Sequence, residues 1–293
     1  VSSERLSRYA LTPARKRRDR IARGSILTGT ILALIPLLLI VYYLLSKGLH
    51  SWSFGFFTTD PTGNTFFKNS TIGGIESAIL GTIEIVALAS ALAIPLGIGV
   101  AVWLVEYGRT GWFAGTVRFF VDVLTGVPSI IFGLFVYIAL IIGTGSSYAG
   151  YKGSLALALL MLPVVIRSAE VVLLLVPGAL REAALALGAP RWRVIASVVL
   201  PTALPGMVTG VLLAIARAAG ETAPLLFTAG ATFKTTTDLG GFMNSLPVQI
   251  YNDVTSPTTA VVDRAWGAAL TLVAMILILN LIARVVSRRS RLA

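Results

Sequence analysis

Residues 180–206 read LREAALALGAPRWRVIASVVLPTALPG, a charged and punctuated interval inside an otherwise apolar chain. Residues 179–187 (ALREAALAL) are strong helix formers. Leu180, Ala183, Ala184 and Leu187 recur at one-face helical spacing, with Arg181 and Glu182 off that face. Gly188 is a natural helix stop and Pro190 blocks continuation. Two arginines then flank Trp192, and Leu200-Pro201 leads back into apolar sequence. A helix of about two turns is unstable alone in water. It is therefore held by the flanking apolar segments or docks on something else. From these residues alone, a helix lying in lipid headgroups and a helix docked in a partner's groove fit equally.

The apolar surroundings set the solvent. Of 293 residues, 56% are hydrophobic and only 13% charged, against about 25% charged in soluble domains. A water-exposed exterior cannot be built from so few charges, so lipid covers most of the surface. Cysteine is absent, which excludes disulfides and thiolate chemistry. His50 is the only histidine and gives no basis for a histidine-rich zinc site or a catalytic triad. The net charge of +11 sits largely at the two ends of the chain, beside apolar runs. That placement reads as membrane flanks and argues against nucleic acid.

Six runs reach the ~20 residues needed to span a bilayer core: roughly 25–46, 76–105, 115–142, 154–177, 202–221 and 264–286. The first is too long for a signal-peptide core and no small-residue cleavage site follows, so it reads as a retained anchor. Prolines 95, 128, 163 and 205 within or beside these runs point to a packed bundle. Basic residues then orient the chain. Eight precede residue 24, four lie in the last ten residues, and Arg109, Arg118, Arg181, Arg191 and Arg193 fall in loops on the same side. Lys47, Lys68, Lys152, Lys234 and Arg264 fall on the other side. Both termini are expected in the cytoplasm. The expected organisation is a basic tail (1–24), a first span (25–46), an outer segment (47–75), a transmembrane core (76–288) and a short tail (289–293). The core holds an inner loop at 179–201 and an outer loop at 222–263, which reads as either a lid or a loose connection. Trp52, Phe54, Phe56, Phe57, Phe66 and Phe67 in the outer segment read as a membrane-interface cluster.

Charges inside a bilayer cost at least ~2.5–3.5 kcal/mol each and mark functional positions by default. Arg167 and Glu170 are three apart in the fourth span; Arg217 and Glu221 are four apart in the fifth. Counting ~1.5 Å per residue places Arg167 ~15 Å and Arg217 ~22 Å from the inner ends of their spans. Each pair either neutralises itself and joins helices, or lines a path for an anion. Guanidinium offers planar paired donors that match a tetrahedral oxyanion. A carboxylate beside it could accept the proton of hydrogen phosphate. Arg118 and Asp122, four apart, read as a helix-stabilising pair. Glu84 stands alone in the second span. No G-x-x-x-x-G-K-[ST] loop occurs in the sequence, so no ATP site of that kind is expected here.

The inner loop resembles that of ABC importer permeases. Their E-A-A, three residues, G, nine residues, I, one residue, L-P pattern is met by Glu182-Ala183-Ala184, Gly188 and Leu200-Pro201, with Val198 at the isoleucine position. GVPSIIFGLF (127–136), SLALALLMLPVVIRSAEVV (154–172), AIARAAGETAPLLF (214–227), EYG (106–108) and GGI (73–75) are similar to the phosphate-specific members, of PstA type. The resemblance implies an all-α membrane protein with six transmembrane helices in the type I ABC importer permease fold. It implies a cytoplasmic coupling helix around Arg181 and Glu182, docked on an ATPase, and a phosphate path lined by Arg167 and Arg217 with Glu170 and Glu221. It also implies the partners: a PstC-type second permease, a pair of PstB-type subunits holding ATP and Mg, and an outer PstS-type phosphate-binding protein. The chain itself would hold no cofactor and catalyse no reaction. A sulfate or molybdate permease is the alternative within the superfamily. An ion-gradient anion transporter is the alternative outside it, and an enzyme acting on lipid phosphates lacks the clustered acid/base or metal residues it would need.

Overall fold

The structure, a computed structural model, describes residues 13–61, 73–108 and 111–289. Arg5, Arg8, Phe66, Phe67, Lys68, Arg109 and Arg291 therefore lie outside the described residues. The described chain is helical: α1 (Pro13–Ser51), α2 (Phe54–Thr58), α3 (Glu76–Tyr107), α4 (Trp112–Gly126), α5 (Ser129–Ile142), α6 (Gly150–Leu174), α7 (Gly178–Ala186), α8 (Arg191–Ala219), α9 (Ala223–Thr228), α10 (Leu246–Val254) and α11 (Thr259–Arg289). Among the described residues, α1, α3, α6, α8 and α11 are each long and apolar enough to cross a membrane. A sixth span exists if α4 and α5 are taken as one.

That sixth span is where the structure departs from the sequence expectation. The run 115–142 is broken between Gly126 and Ser129, and its two halves meet at 103°. Val127 is extended (φ −73°, ψ 131°), the conformation favoured for a residue that precedes proline. Gly126 and Pro128 together end one helix and start another. Pro95, Pro163 and Pro205 leave their helices continuous.

The centre of the bundle is α3 packed on α6. Ala89, Ala93, Gly97 and Ala101 repeat every four residues on α3 and are buried. Such small side chains let helix backbones approach closely, which is what drives association where lipid is as apolar as the core. A methyl group on Gly97 would lie 2.7 Å from Val165 of α6. Leu157, Met161 and Val165 complete this core, joined by Ala214 and Ala218 of α8. α8 reaches α6 through Gly206, opposite Val172, and Gly210, opposite Ser168. The two helices are thus antiparallel and in fixed register.

α8 begins earlier than the 202–221 run, at Arg191, and passes through a π-turn at Ile195–Val199 immediately before Pro201. A π-turn relaxes the backbone hydrogen-bond ladder where proline supplies no donor. At the other end of the bundle, 222–263 is folded. Buried Arg264 donates to both oxygens of buried Asp253 at 2.7 Å, and Gln249 links Asp253 to Asn244. Thr235 closes on Asp60. The aromatic segment 52–57 is partly core: Phe56 is buried with Ile75, Ala78 and Leu246, and only Phe54 is strongly exposed. α1 packs along α11 at the bundle's edge.

Candidate functional site

The intramembrane charges form two separate levels. The first ties α4 to α6 and α3. Arg118 Nε donates to Glu170 Oε1 at 2.6 Å, and its Nη2 donates to the Leu104 carbonyl of α3 at 3.0 Å. Arg167 Nη1 donates to Glu170 Oε2 at 2.8 Å. The Nε of Arg167 donates to Asp122 Oδ1 at 2.7 Å, and its Nη2 converges on the same oxygen. Glu170 is buried and shared between two guanidinium groups. The sequence spacing assigned Arg118 and Asp122 to each other; the structure gives each a partner on α6. An exposed i,i+4 pair yields only ~0.2–0.5 kcal/mol. Charge-assisted bonds to groups on a facing helix are stronger, the more so where one partner is buried.

The second level is Arg217 with Glu221. Arg217 occupies the last turn of α8, and Glu221 lies past its end at Gly220, so the two no longer share a helix face. Their contact is long, Nε to Oε1 at 3.4 Å, and the Arg217 side chain is 47% exposed. Because Gly210 sits opposite Ser168 on the antiparallel helix, Arg217 lies six residues, or ~9 Å, beyond the Arg167 level along the bundle axis. Arg167 itself is seven residues from the end of α6, ~10 Å along the helix. The two pairs are stacked along the bundle and do not form one cluster. Glu84 makes no hydrogen bond or ion pair among the described residues, and its Oε2 is buried.

At the far end of the bundle from 222–263 stands α7, a helix with no buried residue. Arg181, expected off the working face, is the side chain that turns inward. Its Nε donates to Glu106 Oε1 (3.0 Å), with Nη2 in ion-pair contact with the same oxygen (2.9 Å), and it donates to the carbonyls of Val176 (2.6 Å) and Leu173 (2.9 Å). Arg191 bonds the Glu106 carbonyl and lies over the Tyr107 ring. Ala184 packs against the Val194–Val199 cluster with Ala189 and Leu200. Glu182 and Ala183 face out, with Leu185 and Leu187 exposed beside them. Gly188 ends the helix at φ +80°, the left-handed region open to glycine. Pro201 is exposed at the start of the α-helical part of α8. A cavity of about 390 Å³ opens beneath α7, lined by Glu106, Arg181, Glu182, Leu185 and Arg191. Glu106 is the functional candidate that sequence reasoning left out. Its signals were a carboxylate closing an apolar run and its place in the EYG stretch at 106–108.

A bundle of this topology, with a short amphipathic helix suspended from one end, has the fold of type I ABC importer permeases. Solved structures agree on the fold. A bacterial alginate ABC transporter, crystallised with its alginate-bound periplasmic protein, superposes with a TM-score of 0.62 at 18% identity, over 93% of this chain and 96% of that one. The inward-facing methionine transporter MetNI gives 0.59 at 22% identity, over 72% and 94%. The chain belongs to the family described as the binding-protein-dependent transport system inner membrane component, which matches residues 93–292. Its relatives include the phosphate transport system permease protein PstA 1 of Mycobacterium tuberculosis, 42% identical over 96% of this chain and 92% of that protein. PstA of Yersinia pestis is 39% identical over 94% and 92%, and PstA of Haemophilus influenzae 39% over 92% and 94%. The chain is therefore a multi-pass membrane subunit of an ABC transport complex.

Proposed function

We propose that this chain is a transmembrane permease subunit of an ATP-driven inorganic phosphate importer. Near full-length similarity to phosphate permeases carries the reading, and guanidinium groups within the spans give it a chemical basis. Arg217 presents an accessible planar donor set to an oxyanion in a region of low dielectric. Arg167 lies about 9 Å further along, its donors held by Glu170 and Asp122. Glu170 and Glu221 hold the arginines in place and neutralise them when no anion is present.

In this reading the chain sits in a bacterial plasma membrane with both termini and α7 in the cytoplasm, following its basic residues. A PstC-type permease supplies the other half of the path, a PstS-type protein delivers phosphate outside, and paired PstB-type subunits bind ATP and Mg. The chain itself is no enzyme. α7 docks in a groove of the ATPase through Glu182, Ala183 and Leu187, while Arg181 transmits its displacement to the end of α3 through Glu106. Gly188, Leu200 and Pro201 form the turn and stiff restart that carry the same motion into α8.

The purified complex in proteoliposomes tests this. ATP should drive accumulation of labelled phosphate, with sulfate and molybdate failing to compete. Accumulation of sulfate or molybdate in preference to phosphate would assign a different oxyanion. Uptake that survives without ATP and fails with an uncoupler would refute the ATP-driven reading.

A further inference from the structure

The two intramembrane arginines differ in how much of the guanidinium is already taken. Arg217 donates one long bond, to Glu221, and its Nη groups make no hydrogen bond among the described residues. Arg167 is engaged on both edges, by Glu170 at Nη1 and by Asp122 across Nε and Nη2. The two carboxylates are not equivalent. Glu170 is 4% exposed and binds two arginines, so its withdrawal would break an ion pair to each of them at once. Asp122 is 54% exposed and binds one arginine, so it can leave Arg167 without breaking a second ion pair. It also meets Arg167 through Oδ1 alone, whereas a tetrahedral oxyanion can place one oxygen on each of the two nitrogens.

We propose that Asp122 is a gate residue: its carboxylate fills the edge of Arg167 that an oxyanion would use, and the passenger reaches that level by replacing it. The proposal rests on the reading of Arg167 and Arg217 as an anion path. Charge supports the exchange. Arg118, Arg167, Glu170 and Asp122 together are neutral, so the level does not attract an anion while Asp122 is seated. With Asp122 withdrawn, the remaining three carry one net positive charge. Asp122 stands four residues from the end of α4, where the chain bends by 103°. Movement confined to the last turn of α4, or rotation of the Asp122 side chain, would take the carboxylate off Arg167 while Arg118, one turn earlier, stays on Glu170. Arg217 is the open receiving group and Arg167 the guarded one.

The test uses the complex assembled with its partner permease and ATPase, in detergent and without the binding protein. Equilibrium binding of labelled inorganic phosphate is compared for wild type, D122N, D122S and the D122N/R167Q double variant. Removing the carboxylate should tighten binding about fivefold or more, by freeing one edge of the guanidinium, and the gain should vanish in the double variant. A residue that merely braced the helices would not bind phosphate more tightly when its charge is removed. Unchanged or weaker binding in an intact D122N or D122S complex overturns the proposal, as does failure of both variants to assemble. Wild-type complex that does not accumulate phosphate with ATP overturns the transport reading itself, whereas transport by wild type with no gain in D122N overturns the gate alone.

Discussion

Arg181 and Glu106 lie 75 positions apart in the chain and 2.9 Å apart in space. The contact joins α7 to the end of α3, and both side chains are largely buried. It makes the short helix part of the bundle: a displacement of α7 is felt directly at α3, which in turn carries the small-residue face packed on α6.

Replacing Glu106 with Gln should therefore uncouple the two ends of the molecule. Removing one partner of a buried pair strands the other and costs about 3–5 kcal/mol. ATP-driven uptake in proteoliposomes should fall by about tenfold or more, while the ATPase subunit still co-purifies because the exposed face of α7 is untouched. Unchanged uptake would mean that the ion pair transmits nothing.

Arg217 should prefer its own side-chain shape as well as its charge. R217Q should reduce phosphate uptake by about a hundredfold, and R217K should recover only part of it, because an ammonium offers no planar fork. Initial uptake rates at saturating binding protein separate the two variants. Full activity in R217K would show that a point charge suffices.

Gly210 fixes the spacing between α8 and α6 next to Arg167. An added Cβ would overlap the Ser168 side chain, so G210V should force the helices apart. Overpacking of this kind costs about 1–3 kcal/mol. The expected result is a lower thermal midpoint of the purified complex with reduced uptake. G188A should be milder: no atom lies within 4 Å of its Cβ, leaving only left-handed backbone strain of about 1–2 kcal/mol.

The buried Asp253–Arg264 pair holds α10 against α11. R264M should strand a buried carboxylate and destabilise by about 3–5 kcal/mol, and D253L/R264M should recover much of that loss. Thermal unfolding of the detergent-solubilised complex reads both. A double variant no more stable than R264M would place the structural contribution in Arg264's packing, not in its charge.

The broken span shows why a window of sequence misleads. Residues 115–142 satisfy the length and apolarity of one helix, and Gly126 with Pro128 marks only a local weakness, as Pro95 and Pro163 do elsewhere. Pro128 ends its helix because the preceding Val127 is extended and α5 turns away, a choice made by packing against α6 and α9. The aromatic segment is similar. Its composition suggests an interface, yet Phe56 finds a pocket between Ile75 and Leu246 that no local pattern could reveal.

The sequence by itself determined the membrane class, the long apolar helices and the loop helix ended by Gly188, because length, hydropathy and capping act over one or two dozen neighbouring residues. It also exposed the arginines and glutamates that do not belong in lipid. Their partners were decided by the tertiary structure alone. Glu106 meets Arg181, Glu170 joins Arg118 to Arg167, and Asp122 closes on Arg167 only because the small-residue face of α3 and the Leu104, Ala114, Val121 and Ile166 cluster set α3, α4 and α6 in one register. An ion pair between helices depends on which faces oppose each other and at what height, and that is a property of the packed bundle.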